Sequence, residues 1–101
     1  MDLGVHVIEP SGILDGTQTA AFRQQVDEAL EKGAKVLLID LKDITFVDSS
    51  GLGVLVACLI KVRTASSKMY VCSIIDQVRM LFELTSMDRV FEVFADRAAF
   101  E

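Results

Sequence analysis

Tryptophan is missing from this chain, proline and histidine occur once each, and cysteine occurs twice. Each scarcity excludes something. The single histidine, His6, sits in a segment that reads as a strand. That leaves no base to activate a serine in a Ser-His-Asp arrangement. Cys58 and Cys72 lack any CxxC spacing and no cluster of His, Asp or Glu accompanies them, so a metal site is not indicated. Both read as reduced core residues. The phosphate-loop, dinucleotide and nucleophile-elbow patterns are all absent. Basic residues are few: ten Lys and Arg stand against fifteen Asp and Glu, for a net charge of −5. With only Lys61 and Arg63 close together, neutralising nucleic-acid phosphates is a poor fit. No segment has the layout of a signal peptide. The longest apolar run, Leu52 to Val62, is well short of the roughly 20 residues that cross a bilayer. The expectation is one domain, residues 1–101, cytoplasmic and not membrane-inserted, without cofactor or catalysis.

What the chain does contain is a core: 51% hydrophobic residues with 25% charged ones, the balance of a folded domain. Residues 3–8 are rich in β-branched side chains and read as a strand, ended by a turn from Glu9 to Gly12. From Gln18 to Lys32, Ala21, Phe22, Val26, Ala29 and Leu30 recur at helical spacing, with Asp15 or Thr17 as N-cap and Gly33 as stop. Lys35 to Leu41 is a continuous apolar run suited to a strand buried on both faces. Residues 42–47 read as a connection. A second helix is expected from about Ser50 to Ala65, then a strand from Met69 to Ile74. Asp76 caps a third helix through about Leu84, Val90 to Phe94 forms a short strand, and Asp96 to Glu101 begins a last helix. Strands alternating with helices indicate an α/β sheet.

The midpoint of the chain carries the chemistry. Asp48-Ser49-Ser50-Gly51-Leu52-Gly53 lies between the apolar strand and the apolar helix. A helix beginning there sets two hydroxyls among free N–H groups at the positive end of its dipole, a favourable place for an anion. Taken alone, the same residues also make an ordinary N-cap. The helix after them has almost no polar face in its first two turns. It is either enclosed by neighbours or partly left for a partner.

These residues resemble the anti-sigma-factor antagonists, the single-domain members of the STAS family. The run Asp48 to Gly53 followed by Val54-Leu55 resembles the family signature. Gly12-Ile13-Leu14-Asp15 is similar to its loop before the first helix, and Met69 to Cys72 with Val78 to Phe82 to its late strand and helix. The resemblance implies a STAS-like α/β domain: a mixed, mostly parallel β-sheet of four to five strands, with about four helices packed mainly on one face. It implies a partner-switching cycle in which Ser49 is phosphorylated by an anti-sigma factor that is itself a serine kinase, with Ser50 the less favoured acceptor. The unphosphorylated form would bind that anti-sigma factor and relieve its inhibition of a sigma factor, and a PP2C-type phosphatase would restore the serine. Asp15, Asp48, Ser49, Ser50, Gly51, Leu52 and Gly53 are the expected partner-facing residues. Family members often carry a strand ahead of residues 3–8. Its lack would open a sheet edge to self-pairing as a homodimer. The alternative reading is a STAS scaffold subunit of a stressosome-like or lipid-transport assembly, without a phospho-switch.

Overall fold

The computed structural model describes residues 5–100. Leu3 and Gly4, expected in the first strand, and Glu101, expected in the last helix, lie outside the described residues. Strand β1 (Val5–Ile8) and strand β2 (Gly12–Leu14) lead into helix α1 (Thr19–Glu31). Strand β3 (Val36–Asp40) and strand β4 (Ile44–Val47) lead in the same way into helix α2 (Ser49–Thr64). Strand β5 (Lys68–Cys72), helix α3 (Asp76–Leu84), a 3-10 turn (Met87–Arg89), strand β6 (Val93–Phe94) and helix α4 (Arg97–Phe100) complete the order.

The main sheet runs β1-β3-β5-β6, and β2 and β4 form a separate two-stranded ribbon. Every described pairing is parallel. The α/β class with its mostly parallel sheet is therefore as expected. Val7, Leu38 and Tyr70 share one register row, and Asp40, Cys72 and Phe94 another. One sheet face carries Ile8, Leu37, Ile39 and Val71 into a core shared with Phe22, Val26 and Ala29 of α1 and Leu55, Leu59 and Val62 of α2. Val78 and Phe82 of α3 join it, and Phe82 stacks on Phe91 with ring centroids 5.2 Å apart. Among the described helices, α4 lies on the other face, where Phe100 packs on Tyr70 and Phe94. Arg97 ties α4 to the strand ends, 2.8 Å from Glu9 and 3.3 Å from the buried Asp40. Lys61 pairs with Asp27 between α2 and α1.

Three local readings are corrected. Residues 42–47 are not a plain connection, because Ile44–Val47 pairs with β2. The register advances from Gly12↔Ile44 to Ile13↔Phe46, leaving Thr45 as a bulge. That extra residue turns both Ile44 and Val47 inward and both Thr45 and Phe46 outward. The alternation that marks a strand is thereby broken. Gly12, at φ +82, takes the left-handed conformation at this joint, and its N–H bonds Asp43 O. Next, Val90 and Phe91 are not in a strand; they follow directly on the 3-10 turn, and the N–H groups of both bond Met87 O. The helix caps also differ. Gln18 precedes α1 and Ile75 precedes α3, neither with a side-chain cap bond, and Asp76 is the first residue of α3.

Helix α2 is largely enclosed by its neighbours. Leu52, Val54, Leu55, Cys58, Leu59 and Val62 are buried, and the outward stripe is Gly53, Ala57, Ile60, Lys61 and Thr64. Cys58 and Cys72 are both buried free thiols.

Candidate functional site

The two ribbon strands end side by side. Leu14 and Val47 are register partners, both buried, and the residue after each is an aspartate. Asp15 and Asp48 therefore leave the ribbon at the same end. Asp48 N–H bonds Leu14 O at 3.3 Å, closing the joint. With extended backbone at φ −99 and ψ −176, Asp48 is the N-cap of α2, and its Oδ1 accepts the Gly51 N–H at 2.8 Å. The cap satisfies one of the orphan donors of the first turn. The amides of Ser49 and Ser50 have no intrahelical partner, since they are the first two residues of the helix.

Ser49 and Ser50 are exposed and Asp48 is half-buried. Gly51 and Leu52 face inward, and Gly53 faces solvent. The two glycines of the motif have different reasons to be glycine. A Cβ on Gly51 would lie 2.0 Å from Leu14 O and 2.8 Å from its carbonyl carbon. The first turn of α2 thus sits directly on the end of β2, and only glycine allows that approach. At Gly53 a Cβ would meet nothing within 4 Å.

Asp15 folds back on its own loop, where its Oδ1 accepts the Thr17 hydroxyl at 2.6 Å and the Thr17 N–H at 2.9 Å. These bonds, the hydroxyl first, hold its carboxyl below its ordinary pKa. The sequence suggested Asp15 or Thr17 as the N-cap of α1; the two bond each other and brace the loop just before that helix instead. The same loop reaches α2, since a Cβ on Gly16 would lie 3.9 Å from Ser50 Cβ.

One residue of the site is invisible to sequence reasoning. Gln77, on α3, grips Val47 with both ends of its amide: Nε2 donates to Val47 O at 2.8 Å, and Oε1 accepts from Val47 N at 3.0 Å. It thus fixes the backbone immediately before Asp48. Nothing about a glutamine in the first turn of a helix signals a bond to main chain 30 positions upstream.

His6 lies in β1, in a recess it shares with Gln25, Glu28 and Lys32 of α1. Among the described residues no group of three His, Cys, Asp or Glu side chains is placed to hold a metal, and no helix is long and apolar enough to cross a membrane.

The family model for the STAS domain matches residues 2–99. The chain belongs to the STAS domain family. Among curated relatives, this STAS domain is 28% identical to an anti-sigma F factor antagonist from Paenibacillus polymyxa, over 90% of this chain and 79% of that protein. It is 36% identical to an anti-sigma-B factor antagonist from Listeria monocytogenes, over 68% of this chain and 64% of the relative. A solved anti-sigma factor antagonist from Mycobacterium paratuberculosis superposes with a TM-score of 0.83 at 25% identity, covering all of this chain and 89% of the other. The fold is also that of the Bacillus cell fate determinant SpoIIAA in its phosphorylated form, with a TM-score of 0.71 at 18% identity over 96% of this chain and 88% of that one.

Proposed function

We propose that this STAS domain is a phosphorylatable, non-catalytic antagonist of an anti-sigma factor. Unphosphorylated, it binds an anti-sigma factor that is a serine kinase and so relieves inhibition of a sigma factor. Phosphate on Ser49 breaks that complex, and a PP2C-type phosphatase reverses the modification. The observation that carries the reading is Ser49 itself: an exposed hydroxyl on the first residue of α2, next to an aspartate whose side chain is committed to the cap. The antagonist names of the relatives support the same role.

The physics says where the switch would act. A phosphoserine adds about −1.5 to −2 charges at pH 7. The helix start can hold that charge with the amides of Ser49 and Ser50, so the fold need not change. In a complex the dianion would be buried beside Asp48 and close to Asp15, which costs several kcal/mol. Taking a binding equilibrium from 1:99 to 99:1 requires about 5.5 kcal/mol of differential affinity, a comparable amount. Phosphorylation therefore abolishes docking and leaves the domain folded. Strand β1 pairs with β3 alone among the described strands, which supports a homodimer through that edge.

The test is calorimetric titration of both forms against each purified anti-sigma serine kinase of the protein's own organism, with circular dichroism in parallel. Tight binding by the unphosphorylated form alone, with superimposable spectra, is the expected result. Equal binding by both forms, or unfolding on phosphorylation, contradicts the mechanism. Failure of every kinase to bind would favour the scaffold role without a switch.

A further inference from the structure

Strand β6 covers only the C-terminal part of the β5 edge. It pairs with Val71 and Cys72, and the chain ahead of it turns inward, where Phe91 is buried against Phe82. Along β5 the main chain of successive residues faces alternate neighbours. Lys68 N–H donates to Lys35 O on the β3 side, whereas the N–H groups of Val71 and Ser73 donate to Glu92 O and Phe94 O on the other. Met69 therefore turns its N–H and C=O to that second side, below the point where β6 begins, and no described strand pairs with it there. A recess of about 450 Å³ lies along this open edge.

The walls of the recess say what fits it. Arg63, in the last turn of α2, stands on the helix side, pinned by its Nη2 donating to Val90 O at 3.3 Å. Met69 enters the core on that side, so Lys68 and Tyr70 project to the other face of β5. Tyr70 is held there by Phe94 and Phe100, at ring-centroid distances of 5.8 Å and 5.4 Å. Among the described residues neither Arg63 nor Lys68 forms an ion pair. Glu92 closes the upper end, where β6 takes over the edge. Cations on an exposed strand edge discourage pairing by neutral or basic strands. The same two cations attract an acidic strand, with one carboxylate for each face.

We infer that the open edge of β5 is a docking slot for a short, extended acidic peptide. The peptide adds as a strand through the Met69 main chain and sets neighbouring carboxylates against Arg63 and Lys68. Two adjacent acidic residues suffice, because successive side chains of a strand point to opposite faces. The slot is short, since Glu92 repels an acidic chain that runs on toward β6. Arg63 and Ser49 sit at opposite ends of α2, roughly 20 Å apart along its axis. The slot is thus separate from the serine turn and does not rest on the function proposed above.

The test titrates a fluorescein-labelled peptide, Val-Glu-Glu-Val, against the full chain by fluorescence polarisation at low and high salt, with exchange of the Met69 amide followed by NMR. The wild-type chain is expected to bind it, more weakly as salt rises, and Met69 N–H should exchange about tenfold or more slowly in the complex. The double variant Arg63→Glu with Lys68→Glu is expected to lose about tenfold or more in affinity and to prefer Val-Lys-Lys-Val. Both side chains are exposed, so its melting temperature should stay close to wild type. Wild-type affinity in that variant, or binding without protection of Met69, would overturn the slot. Displacement of the peptide by an equal concentration of succinate would assign the recess to a small dicarboxylic acid and overturn strand addition. No binding of the acidic peptide by the wild-type chain would overturn the slot and leave the two cations as guards of an open edge.

Discussion

Gln77 and Val47 exchange two hydrogen bonds, one in each direction, across 30 positions of sequence. The amide of Gln77 stands in for a neighbouring strand at the exposed side of β4. It also links α3 to the backbone that carries Asp48 and Ser49. Replacing it with alanine leaves an N–H and a carbonyl of Val47 without partners, and Val47 is fully buried. The expected cost is about 1–3 kcal/mol, read from urea denaturation. Gln77→Glu keeps an acceptor but loses the donor, so it should recover only part of that loss. A wild-type midpoint for Gln77→Ala would show that the clamp contributes nothing.

The two motif glycines should respond oppositely to alanine. Gly51→Ala forces a Cβ onto Leu14 O and should destabilise by about 1–3 kcal/mol or more. Gly53→Ala adds a methyl group in open space on a helix and should stabilise by up to about 1 kcal/mol. Gly53 also faces outward beside the serines, so the same variant is expected to bind its kinase more weakly while being more stable.

Asp15 should titrate below the ordinary aspartate value, because Thr17 donates to its charged form through hydroxyl and N–H. With the folded-state pKa lowered, its contribution to stability is complete above the unfolded-state pKa. That contribution is lost as pH falls through the folded-state value. Carboxyl-carbon NMR titration reads the pKa directly. Thr17→Val removes the stronger donor and should move it back toward the ordinary value; an unchanged titration would rule out the Thr17 hydroxyl as the cause.

Burial pushes the Cys58 and Cys72 thiols up in pKa. At neutral pH the native protein should therefore react slowly with a disulfide reagent, and both thiols should react fast in urea. Rapid labelling of the native protein would mean that the core opens far more readily than its packing implies.

Some of this architecture is legible in the sequence because single residues state it. The apolar run from Lys35 to Leu41 marks the central strand, and Asp48 with the two serines marks the start of α2. The ribbon is not legible, because its bulge puts Thr45 and Phe46 together on the outside and erases the two-residue alternation. Val90 and Phe91 read as strand because they are apolar, whereas Phe91 is buried by stacking on Phe82 instead of by pairing. In the site, the cap is local and can be read from spacing. The grip of Gln77 depends on which distant segments meet, and spacing along the chain does not encode that.

The measurement closest to the central claim is phosphate mapping by mass spectrometry on the protein isolated from its native cells, with Ser49→Ala alongside. One phosphate on Ser49, absent from the variant, is the expected result. Phosphate on Ser50 would keep the switch and move its site by one residue. No phosphate on either serine under any growth condition would contradict the account and leave Asp48-Ser49-Ser50 as the cap of a scaffold helix.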